Sequence, residues 1–272
     1  MIKTKLQIQR GKVFLVGAGP GDADLITLKA VRCLRQAKVV FYDRLINRQL
    51  LNYAVDAELI DIGKKPGGHS VRQRDIEQLL IDHALEGKIV VRLKGGDPFI
   101  FGRGGEEAQA LKRAQVPYEI IPGVSSAIAA PAYAGIPVTH RDYASSLAIV
   151  TGHRVGKIRW RELLSAVDTI VIVMGLHHLG EIMSSLLQGG CHPLKPVALI
   201  ESGTYTTQRT LKGTVAEIAA LAQQWKFRAP TIIVLGEVVR LGQELQWFHP
   251  RKCVRSKGYV RRNNIGNSDT HR

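Results

Sequence analysis

The chain lacks most of the short signatures that would place it in a common enzyme class. It has no GxxxxGK[ST] loop, no HExxH, no GxSxG and no C-x-x-C pair. Phosphate-loop hydrolysis, zincin proteolysis and a serine-elbow hydrolase all lose their usual starting point. Its three cysteines, Cys33, Cys191 and Cys253, are far apart. A disulfide framework or cysteine zinc site is not expected, and a reducing compartment fits. The first residues, MIKTKLQIQRGKVFLVG, hold no apolar run before a small-residue cleavage site. They do not read as a signal peptide, so a cytoplasmic location is expected. Aromatic residues make up 6% of the chain, and no tract has collagen-like or heptad periodicity. The 20 residues from Ile120 to Thr139 carry no charge, which is a membrane-spanning length. Pro122, Pro131 and Pro137, with Gly123 and Gly135 beside them, interrupt that stretch, which reads instead as a buried turn and helix near a site.

What is present is a globular profile: 272 residues, 45% hydrophobic and 22% charged, enough for one large domain or two smaller ones. The formal charge of +15 is unevenly spread, with +3 in residues 1–10 and +6 in residues 249–272. Such a balance suits a polyanionic partner: nucleic acid, anionic lipid or a polycarboxylate substrate. The polar, arginine-rich tail reads as unfolded. It has little aromatic residue content for base stacking, so no specific nucleic acid is expected.

Short apolar runs alternate with helical stripes. Strands are predicted at 12–17, 39–42, 58–62, 89–93 and 118–121, then at 147–151, 169–174, 197–201, 206–212 (as an edge) and 231–235. Helices are predicted at 24–37, 47–54, 72–86, 105–114, 161–166, 179–187 and 215–224. Alternation of this kind implies α/β layers built on mainly parallel sheets. The loop-rich break near 135–144 is the expected domain boundary. It leaves a short extension at 1–11, domains at 12–140 and 141–248, and the basic tail at 249–272.

Polar and glycine-rich motifs follow the predicted strands, where ligands of open α/β sheets collect. Gly17-Ala18-Gly19-Pro20-Gly21-Asp22 departs from a dinucleotide fingerprint, because Asp22 takes the sixth position and Pro20 removes a backbone donor. Asp43, in Tyr42-Asp43-Arg44-Leu45, is either a site carboxylate or a helix cap paired with Arg44. Lys64 and Lys65, in GKKPGGH, either contact anionic groups and move protons or form a solvated basic turn. The longest motif, VRLKGGDPFIFGRGGEE at 91–107, carries five glycines and an uncharged Phe99-Ile100-Phe101 wall suited to a flat organic ligand. Pro122–Ala127 adds hydroxyls and amides at a helix start. No metal site is expected, and His177-His178 reads as a helix-start pair.

In this order, VGAGPGD, YDRL, GKKPGGH, VRLKGGDPFIFGRGGEE, PGVSSA, GIPVTHRDYASS, TGH, VMG and ESGT resemble the uroporphyrinogen-III C-methyltransferases of the tetrapyrrole methylase superfamily. The resemblance covers about Lys12 to Phe248. It implies two α/β domains with S-adenosylmethionine in the cleft between them, a homodimer, and methylation of uroporphyrinogen III at C2 and C7 to precorrin-2 by way of precorrin-1. S-adenosylhomocysteine would be the by-product. Cofactor contacts then fall on Pro20, Gly95, Gly96, Asp97, Ile100, Ser125, Ser126, Met174 and Gly203. Asp43 matches the family's proton acceptor and Lys64 its donor. Lys65, Arg92, Arg103 and Arg141 are candidates for the substrate's carboxylates. Lys65 replaces an arginine of many relatives, and Ser125-Ser126 replaces a Thr-Ala pair. The alternatives are a relative that methylates another precorrin or RNA, and a nucleic-acid-binding protein that uses the tail.

Overall fold

The computed structural model describes residues 11–63 and 71–250. The first sheet comprises β1 (Lys12–Gly17), β2 (Val39–Tyr42), β3 (Glu58–Asp61), β4 (Ile89–Lys94) and β5 (Tyr118–Ile121). Its order is β3-β2-β4-β1-β5, and every pairing is parallel, as predicted.

Alternation along β1 explains the layers. Phe14 and Val16 face one side, where they pack with Ala30, Cys33 and Leu34 of α1 (Leu28–Gln36). Val13 and Leu15 face the other, against Ile76 and Leu80 of α2 (Gln73–Leu85) and Leu111 of α3 (Gly104–Arg113). A strand buried on both faces needs near-continuous apolar sequence, which KVFLVG supplies. Neighbouring β1 and β4 therefore send their following helices to opposite faces. Their C-terminal ends mark the topological switch point, where such folds open a crevice.

The predicted helix at 24–37 is a short 3-10 turn (Ala23–Leu25) followed by α1. Thr27 divides the two, because its hydroxyl accepts from Ala30 N at 3.1 Å and caps α1. The predicted helix at 47–54 is also a 3-10 turn, Arg48–Tyr53, capped by Asn47.

The second sheet holds β6 (Leu147–Thr151), β7 (Thr169–Val173), β8 (Pro196–Glu201), β9 (Arg209–Thr214) and β10 (Thr231–Leu235), in the order β6-β7-β10-β8-β9. Here the expectation of a mainly parallel sheet needs correcting. Only β6 and β7 pair in parallel; the other three pairings are antiparallel. Helical crossovers still join strands of like direction, through α5 (Trp160–Ala166), α6 (Leu179–Gln188) and α7 (Ile218–Gln224). The reversal comes at 202–208, a connection too short for a crossover, so β9 folds back beside β8. Placing β10 between β7 and β8 then makes its own pairings antiparallel.

α4 (Ser126–Tyr133) belongs by sequence to the expected first domain. Its Ala127 and Ala130 nevertheless pack on the second sheet, beside Val171, Val173, Ala198 and Ile200. The chain thus leaves the first sheet after β5, and the start of α4 is set between the two sheets.

Three glycines hold the meeting point together. A Cβ on Gly123 would lie 2.3 Å from Gly96 O and 2.8 Å from Gly17 Cα. Gly123→Ala is expected to destabilise the protein by about 1–3 kcal/mol, the usual range for overpacking. Gly105→Ala, with nothing within 4 Å of the new Cβ, should be neutral or stabilising by up to about 1 kcal/mol through helix propensity. Urea unfolding of the two variants checks the contrast.

Candidate active site

A cavity of about 930 Å3 opens over the carboxyl ends of β1 and β4, near the upper end of the roughly 300–1,000 Å3 common for small-molecule sites. One wall comes from the first sheet and its loops, the other from Val173, Met174, Ser202, Tyr205, Thr207 and Pro230 of the second half.

Backbone geometry shapes the floor. Gly96 N donates to Gly19 O at 2.7 Å, and Gly19 N donates back to Gly96 O at 3.2 Å, joining the first glycine loop to the fourth motif. Asp97 secures the same region from behind. Its Oδ2 accepts from Gly123 N at 3.0 Å and its Oδ1 from Phe99 N at 2.8 Å. Its carboxylate is thus committed to backbone, and Asp97 does not line the cavity.

Strain gathers here. Phe101, Arg103, Met174 and Ser202 line the cavity, and all four have left-handed backbone, with φ between 50° and 59°. Such residues cost about 1–3 kcal/mol each and persist where surrounding structure fixes them.

The first glycine loop is tied to the second half. Asp22 N donates to Thr204 Oγ1 at 2.9 Å, and Tyr133 Oη donates to Asp22 Oδ2 at 2.9 Å. Burial and the bond to Asp22 push the Tyr133 hydroxyl up to about 12, so it remains a donor at neutral pH.

At the base of the cavity lies a group of charges: Asp43, Arg92 and Lys94 line it, and Glu107 is buried beneath them. β4 points Arg92 and Lys94 to one face, as alternate residues must. Arg92 Nη2 donates to Asp43 Oδ1 at 2.6 Å, its Nε to Glu107 Oε1 at 3.2 Å and its Nη1 to Leu93 O at 3.3 Å. Lys94 Nζ donates to the same Glu107 oxygen at 2.9 Å. Burial, then the charge of Arg92, lowers the Lys94 ammonium below its ordinary range. Asp43 is half-buried and lines the cavity.

Of the residues singled out in the sequence, Pro20, Asp43, Arg92, Gly95, Gly96, Ile100, Arg103, Ser125, Ser126 and Met174 all line this one cavity. Arg92 is there, but with three of its donors engaged internally. Arg103 is more than half exposed, with only a surface pair to Glu106. Arg141 lies outside the cavity, on an exposed turn. Gly203 is also not among the lining residues, and it is closely packed: a Cβ there would lie 2.4 Å from that of Ala130. Lys64 and Lys65 fall outside the described residues. Sequence reasoning missed Arg44, Arg72, Gln73 and Tyr205, which line the cavity, and Glu107, fully buried beneath it. For Glu107 the signal was its helical spacing from Ala110 and Leu111 on the buried face of α3.

The residues fit an adenosyl cofactor. Gly95 and Gly96 carry no side chain into the cavity, and a Cβ on either would meet no atom nearer than 3.7 Å. The space above them is free for a ligand, beside the Ser125 hydroxyl and the first amides of α4. Arg44 and Arg103 supply positive charge at the cavity wall. Among the described residues no cluster of His, Cys, Asp and Glu is arranged to hold a metal, and no helix is long and apolar enough to cross a membrane.

Fold and site together define an α/β protein with a cleft that has a glycine-lined floor and arginines at its wall. Residues 12–219 match the family model described as Tetrapyrrole (Corrin/Porphyrin) Methylases. The chain belongs to the tetrapyrrole methylase family. It is 50% identical over 234 residues to a uroporphyrinogen-III C-methyltransferase of Priestia megaterium, covering 84% of this chain and 98% of that one. Identity to a protein of the same name from Methanocaldococcus jannaschii is 52% over 237 residues, covering 85% and 98%. Among solved structures, the Thermus thermophilus uroporphyrin-III C-methyltransferase complexed with S-adenosylhomocysteine matches with a TM-score of 0.74 and 40% identity, covering 85% of this chain and all of that one.

Gly96 has φ +68°, a conformation that a β-branched residue resists. Gly96→Val should therefore weaken S-adenosylmethionine binding at least tenfold in titration calorimetry, while the far-ultraviolet circular dichroism keeps its α/β form. Unchanged affinity would contradict the assignment of the glycine floor to the cofactor.

Proposed function

We propose that this protein methylates uroporphyrinogen III at C2 and C7, yielding precorrin-2 by way of precorrin-1, with Asp43 as proton acceptor. The observation that carries the reading is the placement of Asp43. In a chain half-identical to uroporphyrinogen-III C-methyltransferases, it opens on the same cavity as the glycine floor, and among the described residues Arg92 holds its Oδ1 alone.

When bound, S-adenosylmethionine supplies an electrophilic methyl group on a sulfonium. The glycine floor, Ser125, Ser126 and Met174 hold and orient it, and orientation of this kind supplies much of the acceleration in a group transfer. The substrate is an octacarboxylate. Arg44, Arg72 and Arg103 stand at the cavity wall to receive propionate and acetate groups, and the family resemblance adds Lys64 and Lys65 as candidates for the same groups. A pyrrole carbon that gains a methyl leaves positive charge on the macrocycle until a proton departs. The Asp43 carboxylate stabilises that charge and then takes the proton on the oxygen that Arg92 leaves free. Lys64 returns a proton, following the family resemblance. The working form in this reading is a cytoplasmic homodimer, supported by that resemblance.

Incubation with uroporphyrinogen III and labelled S-adenosylmethionine, followed by mass analysis, is expected to show a product carrying two added methyl groups. Methylation of RNA or of a later precorrin in its place would overturn the substrate. Asp43→Asn should retain cofactor affinity within about twofold and lose roughly 100-fold or more in turnover, the range for a positioned acid or base. Turnover near that of the wild type in a folded variant would remove Asp43 from the role.

A further inference from the structure

One buried charge beneath the cavity is not explained by ligand binding. Glu107 is fully buried on α3. Its Oε1 accepts from Gln73 Nε2 at 3.2 Å, Arg92 Nε at 3.2 Å and Lys94 Nζ at 2.9 Å. Its Oε2 is buried with no partner among the described residues. Burying a carboxylate with one oxygen unsatisfied is costly, and an apolar residue of similar volume would stabilise a core at least as well. The arrangement makes sense if its function is orientation. Arg92 is a planar fork that bridges two carboxylates, Glu107 through Nε and Asp43 through Nη2. A guanidinium held at Nε cannot rotate about its long side chain, so the direction of its Nη2 donor is fixed.

We infer that Glu107 is a positioning residue for the methylation: through Arg92 it sets the orientation of the Asp43 carboxylate, keeping one oxygen held and the other turned to the cavity. Glu107 itself touches neither substrate nor cofactor. Lys94 balances the second negative charge, so the group of Asp43, Arg92, Lys94 and Glu107 is neutral when all four are ionised. The inference rests on the reading of Asp43 as proton acceptor.

The test separates the two ideas. Glu107→Gln keeps the shape and one acceptor but weakens the hold on Arg92. Its kcat is expected to fall roughly tenfold or more, as small misplacements at a reacting centre do. The KM for uroporphyrinogen III and the Kd for S-adenosylmethionine should stay within about twofold. Arg92→Lys retains the charge and leaves Glu107 paired with Lys94, but one ammonium cannot bridge as the fork does. It should show the same loss of kcat with the same KM, and it remains informative if Glu107→Gln does not fold. Because both act along one path, the combined variant should be no slower than the worse single, whereas independent structural defects would multiply. Wild-type kcat in either folded single variant, or multiplied losses in the pair, would overturn the inference. So would a rise in the substrate KM of Arg92→Lys, which would make Arg92 a direct substrate contact. Asp43→Asn is measured alongside. If it is inactive while Glu107→Gln and Arg92→Lys are unimpaired, only the positioning role fails. If it turns over normally, the reading of Asp43 fails first.

Discussion

Everything at this site depends on backbones touching where no side chain can fit. Gly17 at the end of β1, Gly96 after β4 and Gly123 after β5 approach so closely that any Cβ on Gly17 or Gly123 would overlap main-chain atoms. The contact joins neighbouring strands at the switch point of the first sheet. It also delivers the chain to α4, whose apolar face packs on the second sheet. One steric constraint thereby closes the floor of the cleft and fixes the distance between its walls. The left-handed residues around the rim, Phe101, Arg103, Met174 and Ser202, are the local cost of bending three separate loops towards one cavity.

A second constraint is electrostatic. In the proposed mechanism the first half offers cations to an anionic substrate, yet the carboxylate assigned to proton transfer must stay among them with a defined direction. Arg92 resolves this by turning its fork inward to Asp43 and Glu107. Exposed Arg103 and Arg44 face the ligand space instead. Arg92, a substrate-anchor candidate by its motif, lines the cavity but has three donors turned inward, which its burial brings about and the motif does not reveal.

Much of this was legible in the sequence. The first sheet was readable because its strands are buried on both faces and their apolar runs are uninterrupted. The glycine motifs stood out because close backbone approach leaves a compositional trace. The second sheet was misread in direction, since period-two patterning identifies a strand but not its sense. What decided it was the short connection at 202–208, whose consequence depends on where β10 inserts. α4 was found as a helix but not assigned to its sheet, because an alanine-rich face has no preference that sequence alone reveals. Glu107 went unnoticed as one of two adjacent acids at a helix start, where carboxylates are ordinary; only the fold turns one inward and leaves the other in solvent. Gly203 and Asp97 stood out with their motifs but are not among the residues that line the cavity, because motif membership does not separate residues that face a cavity from residues that hold its loops.

The central claim is that loops from both halves form one cradle for the cofactor. Hydrogen exchange with and without S-adenosylhomocysteine tests it most directly. The account predicts simultaneous protection of amides at 95–101, 123–127, 174–176 and 202–206, with the outer strand β9 unchanged. Protection confined to one half of the chain, or found elsewhere, would contradict it.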